Sequence, residues 1–230
     1  MSQKPAASVI IPCYNEEGNI PSCVEKIRKL NVPFEIVIVN DGSQDATQKV
    51  AQELSLKDPR IRLVNFEKNR GKTQAIKEGI AQATEDLVMI QDADASVDPS
   101  ELLLFYEELQ KNPDQFLMGT RFVYPMEKNA MPLKNHISNR LTARLFSWFL
   151  KQKVTDTLCG TKAFKKSMPI DFTDCRWPDF DLIIAAKQNG LPIKEIAVKY
   201  LARQAGSSKM SLYPDVWHLI RRMWQMVFTK

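Results

Sequence analysis

Leu87-Val88-Met89-Ile90-Gln91-Asp92-Ala93-Asp94 decides the fold. Four consecutive apolar residues predict a buried strand. A strand inside a parallel sheet is hydrophobic on both faces, so an unbroken run suits it better than an alternating one. Two carboxylates follow where that strand should end. Residues two apart on an extended segment point the same way. Asp92 and Asp94 are therefore expected to face one spot at the carboxyl edge of the sheet, where open α/β sheets bind ligands. Paired hard oxygen donors there suit Mg²⁺ or Mn²⁺, held jointly with substrate phosphates. On spacing alone, a polar turn whose Asp residues cap the next helix fits as well.

Working outward, strand and helix patterns alternate on both sides of this stretch. Ser8 to Ile11 predicts a strand stopped by Pro12, and the next helix carries Ile20, Cys23, Val24 and Ile27 at helical spacing. Glu35 to Val39 predicts a second strand ending in the turn Asn40-Asp41-Gly42-Ser43. Asp45-Ala46-Thr47-Gln48 reads as a capping box for the helix through Val50 and Leu54. Ile61 to Val64 predicts a third strand. Asn69-Arg70-Gly71-Lys72 leads into a helix with Ala75, Ile76, Gly79, Ile80 and Ala83 on one face. After the opening stretch, Asp98-Pro99-Ser100-Glu101 supplies a capping Asp, a first-turn Pro and an acidic residue three on. Four alternations call for a parallel, helix-covered sheet.

The second half is less regular. Strands are expected at Phe116 to Met118 and Ile193 to Tyr200, and a helix from Asp179 to Asn189 closing at Gly190. Residues 136 to 152 predict an amphipathic helix with Ile137, Leu141, Leu145, Trp148 and Phe149 on one face, and Arg140, Arg144 and Lys151 elsewhere. Most such stripes pack on a domain core. A last stripe, from Val216 through Val227, carries Trp217, Trp224, Arg221 and Arg222. Aromatic and basic residues together suit a membrane interface.

Composition sets outer bounds. The 230 residues are 44% hydrophobic and 26% charged, ordinary for a soluble globular chain. A net charge of +5 and a pI near 8.9 favour an anionic partner such as phosphate or a membrane surface, and are too weak to argue for nucleic acid. The cysteines, Cys13, Cys23, Cys159 and Cys175, have neither metal-site spacing nor a disulfide framework, which fits a reducing cytosol. The two histidines, His136 and His218, are too scattered for a zinc site. The polar start, Met1-Ser2-Gln3-Lys4-Pro5, carries no signal peptide. No run reaches the ~18 apolar residues of a membrane span.

The carboxyl ends of the first, second and fourth strands all carry polar, turn-forming residues, so they can build one nucleotide pocket. The lysine-bearing phosphate loop and the three-glycine dinucleotide fingerprint are both absent. The ordered segments Val9 to Glu17, Asn40 to Ser43, Asn69 to Lys72 and Asp92 to Asp94 resemble the consecutive motifs of the family 2 inverting glycosyltransferases, which have the GT-A fold. Asp156-Thr157-Leu158-Cys159-Gly160-Thr161-Lys162-Ala163-Phe164, Arg176-Trp177 and Gly206-Ser207-Ser208-Lys209 resemble the polyprenyl-phosphate branch, the dolichyl-phosphate glucose and mannose synthases.

The resemblance implies an α/β, Rossmann-like and predominantly parallel sheet covered by helices. It implies a catalytic domain over residues 1–210 and a C-terminal amphipathic helix over 211–230. Pro12, Tyr14 and Glu16 would frame the base and ribose, Asp41 would bind the base, and Lys72 would lie near the nucleotide. Asp92 and Asp94 would hold Mg²⁺ or Mn²⁺ on the diphosphate. Arg121 fits a phosphate contact, since guanidinium binds phosphate with two parallel hydrogen bonds. Arg203, Lys209 and Arg140 are candidates for an acceptor phosphate, and Asp181 for the family's acidic residue, about one position out of register. Asn40 stands where relatives carry a first Asp, Ser96 where many carry Gln, and Thr73 where Gly is common. The implied activity is hexose transfer from a nucleotide sugar, UDP-glucose ahead of GDP-mannose, to a polyprenyl phosphate at the cytosolic face of a membrane. Transfer to a hydroxyl of a glycan or soluble acceptor, and a non-catalytic nucleotide-binding protein on the membrane, are the alternatives.

Overall fold

The computed structural model of the chain describes residues 6–126, 131–172 and 177–201. Its elements are β1 (Ser8–Cys13), α1 (Ile20–Arg28), β2 (Glu35–Asn40), α2 (Thr47–Lys57), β3 (Ile61–Asn65), α3 (Lys72–Gln82), β4 (Leu87–Ile90), α4 (Leu102–Lys111), β5 (Phe116–Thr120), α5 (Leu133–Leu150), β6 (Lys162–Lys165), α6 (Pro178–Gln188) and β7 (Ile193–Ala197). Seven strands form one sheet in the order β3-β2-β1-β4-β6-β5-β7. All pairings are parallel except those of β6, which runs against both β4 and β5. β1 is flanked by β2 on one side and β4 on the other, so the chain reverses its direction of winding there. Such a switch point opens a crevice at the carboxyl ends of the strands.

Helices cover both faces, which is why β2 is buried along its whole length and β4 is apolar throughout. Ile10, Val37, Val88, Ile90 and Phe164 pack toward α3, α5 and α6. Val9, Ile11, Ile36, Met89 and Leu117 pack toward α1, α2 and α4.

Two local expectations change. Pro12 does not stop β1, which continues to Cys13. The carbonyls of Ala7 and Cys13 bond toward β2, while that of Ile10 accepts the Gln91 N–H beyond β4. Pro12 shares the orientation of Ile10, and β4 pairing has already ended at Ile10–Ile90. The missing N–H therefore costs no ladder bond. In the capping box, the Asp45 carboxylate accepts the Thr47 N–H at 3.0 Å. The Ala46 N–H donates instead to the carboxylate of Glu17, in the preceding loop, at 2.7 Å. Asp98 caps as expected, accepting the Ser100 N–H at 2.9 Å, and a 3₁₀ turn (Pro99–Glu101) then leads into α4.

The largest correction concerns α5. Its expected core stripe faces water: Ile137 is 51% exposed, Leu141 60% and Trp148 69%. The buried face is Asn139, Thr142, Ala143, Phe146 and Leu150, with Leu145 and Phe149 half-buried beside it. Asn139 and Thr142 turn inward because they bond to the loop ahead of β6. Asn139 donates to Asp156 at 2.6 Å, and the Thr142 and Thr157 hydroxyls share a hydrogen bond.

Residues 202–230 lie outside the described residues. With them lie Arg203, Lys209, the boundary at 211 and the stripe from Val216. Among the described residues no helix is long and apolar enough to cross a membrane.

Candidate active site

The loops after β1, β2, β4 and β5, together with the loop entering β6, meet at one edge of the sheet. They enclose a cavity of about 350 Å³, at the small end of the usual ligand-pocket range of roughly 300–1,000 Å³.

The first wall is built from two loops tied together. Asn15 accepts the Gln44 N–H through its side chain, and its own N–H donates to the Ser43 hydroxyl. The Glu16 N–H donates to the Thr47 hydroxyl at 2.8 Å. This positions Pro12, Tyr14 and Glu16, all of which line the cavity. Asp41 lines it too, but its carboxylate is engaged by the loop before α3. It accepts the Arg70 N–H at 2.7 Å, the Gly71 N–H at 2.9 Å and the Asn69 amide at 3.0 Å. Burial pushes the Asp41 carboxyl above its ordinary value despite those donors. Gly42 sits at φ +64°, where a Cβ would overlap the backbone of Lys68 and Asn69. The Asn40-Asp41-Gly42-Ser43 turn thus supports the neighbouring loop as well as the cavity.

The floor is the decisive stretch. β4 ends at Ile90, and Asp92 and Asp94 lie in a turn, not on an extended segment. The Ala95 N–H bonds back to the Asp92 carbonyl, and Ala95 takes φ +50°. The buried Gln91 amide holds this turn from beneath, donating to the carbonyls of Asp92 and Val97. Both carboxylates still line the cavity. Asp94 accepts the Ser96 N–H at 3.0 Å. Asp92 is paired with Lys72, the first residue of α3, at 2.6 Å. Burial acts against charge on Lys72, but Asp92, Asp179 and Asp94 outweigh it and hold the ammonium above its usual value. Gly160 closes over Asp92 so tightly that any Cβ there would overlap the carboxylate.

The far wall holds two buried ion pairs. Arg121 lines the cavity while its guanidinium forks onto Asp156 at 2.6 and 2.9 Å and lies 5.0 Å from the Tyr200 ring centroid. Burial alone would raise the Asp156 carboxyl; Arg121 and Asn139 hold it below its ordinary value. Lys162, fully buried on β6, pairs with Asp179. Asp179 is the α6 carboxylate that lines the cavity. Asp181 is buried in α6 outside the lining. At about 100° per residue, position 181 falls on the side of α6 opposite Asp179, and α6 is buried nearly all round. Arg140 is exposed on α5 and also lies outside the lining, whereas Asn135 and Asn139 of the same helix belong to it.

Asn139, Asp179 and Tyr200 are therefore lining residues that motif reading did not assign, and Lys162 supports Asp179 from behind the wall. One signal was available: Lys162 opens β6 ahead of the apolar pair Ala163-Phe164, and a lysine buried with them needs a partner.

The donor set fits a divalent cation of the Mg²⁺ or Mn²⁺ kind. Asp92 and Asp94 share one turn and one cavity. No group of three His, Cys, Asp or Glu that could form a protein cage occurs among the described residues. One or two carboxylates completed by substrate phosphates is the usual way Mg²⁺ is held.

Residues 8–170 match Glycosyl transferase family 2. The chain belongs to that family. It is 32% identical over 215 residues to the dolichyl-phosphate beta-glucosyltransferase of Homo sapiens, covering 84% of this chain and 66% of that protein. It is 26% identical over 235 residues to Glycosyltransferase AglD of Haloferax volcanii, covering 95% of this chain and 37% of that one. The chain thus spans two thirds or less of these relatives' length. Among solved structures it is similar to S. aureus TarS 1–349, with TM-score 0.69 and 19% identity over 97% of this chain and 65% of that one. It matches glucosyl-3-phosphoglycerate synthase from Mycobacterium tuberculosis, in complex with Mn²⁺, UDP and glucosyl-3-phosphoglycerate, equally well. There the TM-score is 0.69 and the identity 18%, over 98% of this chain and 80% of that one. At such identities the likeness shows the fold, which is the expected GT-A arrangement.

Proposed function

We propose that this family 2 chain transfers glucose from UDP-glucose to a polyprenyl phosphate of the dolichyl class, with Mg²⁺ or Mn²⁺, at a membrane surface. The curated relatives that carry the dolichyl-phosphate beta-glucosyltransferase name support the sugar and the acceptor. Neighbours solved with UDP and Mn²⁺ or Mg²⁺ support the donor and the metal.

One observation of the cavity carries the choice of acceptor. Among the described residues, every carboxylate lining it already accepts a hydrogen bond: Glu16 from Asn19, Asp41 from the 69–71 loop, Asp92 from Lys72, Asp94 from Ser96 and Asp179 from Lys162. A hydroxyl acceptor needs a general base within reach. A phosphate is ionised at neutral pH and has no proton to give up, so it does not call for a carboxylate freed from its donor to act as base.

In this reading Pro12, Tyr14, Glu16 and Asp41 frame the nucleoside, and Lys72 lies beside the diphosphate. Asp92 and Asp94 hold the cation, which when bound supplies neutralisation of the charge on the departing diphosphate. An acceptor oxygen attacks the anomeric carbon. The new C–O bond forms as the bond to the diphosphate breaks, and the electron pair leaves with UDP. Arg203 and Lys209 meet the acceptor phosphate. Arg121 presents its remaining N–H groups to the reacting phosphates while Asp156 fixes its plane.

The test is an acceptor panel. Purified protein is given labelled UDP-glucose, Mn²⁺, and a short polyprenyl phosphate in detergent, or glycan and phosphoglycerate acceptors. Glucose should enter the lipid phosphate only. Hydrogen bonds to charged groups contribute roughly 1.5–3 kcal/mol, so Arg203→Ala or Lys209→Ala should slow transfer about 10- to 150-fold. Transfer to hydroxyl acceptors alone, with these variants normal, overturns the acceptor assignment.

A further inference from the structure

The outer face of α5 has no protein covering it among the described residues, and it is apolar. Leu133 is 74% exposed, Ile137 51%, Leu141 60% and Trp148 69%. At 3.6 residues per turn these four lie within one quarter of the helix circumference. Arg140 and Arg144, both exposed, fall on the same quarter or beside it. The 18-residue helix contains no Asp or Glu. Its polar side chains Asn139 and Thr142 are the buried ones. The helix thus carries a second apolar stripe on its outer side, besides the Ala143, Phe146 and Leu150 that it buries, whereas the usual surface helix shows a polar face. Contiguous apolar stripes left in water mark a surface that something covers.

We infer that this face seats the protein on an anionic phospholipid surface. The charge selects the partner. Arginines interleaved with large apolar side chains, and no acidic residue among them, match phosphate headgroups above a hydrocarbon layer. The position agrees. Asn135 and Asn139, on the side of the helix opposite this face, line the cavity, as does Met131 just before it, so a bilayer under α5 lies about one helix diameter from the cavity. The segment after β5 joins the same end: Phe122 packs edge-on against His136 at 5.1 Å, and its neighbours Val123 and Tyr124 are exposed. Arg140, which does not line the cavity, thereby becomes a headgroup contact. The inference shares with the proposed function the premise that the protein meets a bilayer, but it does not depend on the acceptor.

The experiment is flotation of the full chain with vesicles free of polyprenyl phosphate, either neutral or containing one third phosphatidylserine. Wild type should bind the anionic vesicles more tightly and lose much of that preference in high salt. Ile137→Ser/Leu141→Ser/Trp148→Ser should weaken binding at least 100-fold. Arg140→Ala and Arg144→Ala should each weaken it about fivefold on anionic vesicles only. The triple variant should keep its activity on lipid phosphate in detergent, which separates failure of this inference from failure of the acceptor reading. If the triple variant does not fold, Leu141→Asp alone is read by the same criterion, with at least a tenfold loss expected. Unchanged vesicle binding overturns the inference. So does a wild-type dimer in sedimentation that the variants dissociate, since a second copy would then cover the face.

Discussion

At the scale of single residues, Gly160 has a more specific task than its place in a loop suggests. It is the only residue type that lets the chain entering β6 close over Asp92. Gly160→Ala should push that carboxylate out of place. The displaced group is the end of a side chain facing a cavity, so the stability cost should stay near the low end for overpacking, about 1 kcal/mol. Binding should suffer more: Mn²⁺ affinity in the presence of UDP, read by electron paramagnetic resonance, should fall at least tenfold. Unchanged Mn²⁺ affinity would remove Asp92 from the metal site. The place of Asp92 and Asp94 in the cavity was legible because two acids after an apolar run are distinctive. The dependence on Gly160 was not, since nothing local says which distant backbone passes within contact of a side chain. The same limit explains Asp179 and Asp181. The two carboxylates are two apart and both buried, and only the cavity and Lys162 on the side of Asp179 tell them apart.

At the scale of elements, helical periodicity located α5 but did not tell which face turns inward. Apolar area would favour burying Leu141 and Trp148, but the Asp156 network needs Asn139, and the network decides. A second junction gives a quantitative check. Asp58 caps the C-terminus of α2 and accepts from Arg28 at the end of α1 and from Arg60 ahead of β3, at 2.9 and 2.8 Å. The Arg60 hydrogen bonds, with Arg28 beside them, hold its carboxyl down from 3.8 to about 2. A carboxylate depressed in the folded state stabilises fully above its unfolded value, and that contribution is lost as pH falls through the folded value. Both arginines are about one third exposed, so solvent screening reduces the effect to roughly 1 kcal/mol. Asp58→Asn should lower Tm by roughly 2–4 °C at pH 7. The gap should close as pH falls from 4 toward 2. A gap that persists at pH 2.5 would mean that packing, not charge, makes the junction.

At the scale of the whole molecule, the cavity gathers residues from Pro12 to Tyr200, nearly the full described length. The alternating first half was readable because each strand and helix there is a local pattern. The second half was less so because β6 enters the sheet antiparallel after a long excursion through α5, and no local pattern encodes a strand's direction. A ligand that touches both halves binds only the assembled fold, so it should stabilise the molecule globally. Binding to the native state alone contributes about 2.7 kcal/mol at a concentration of 100 Kd. For a chain of this size that is roughly 5–10 °C in Tm. Mn²⁺ with UDP should produce a rise of that order. UDP in EDTA should produce much less, because the diphosphate then meets Asp92 and Asp94 with no cation between like charges. Asp94→Ala should reduce the Mn²⁺-dependent part while the unliganded protein melts near the wild-type temperature. If UDP stabilises equally with and without EDTA, nucleotide binding is metal-independent, and the two carboxylates serve the turn that carries them instead of a cation.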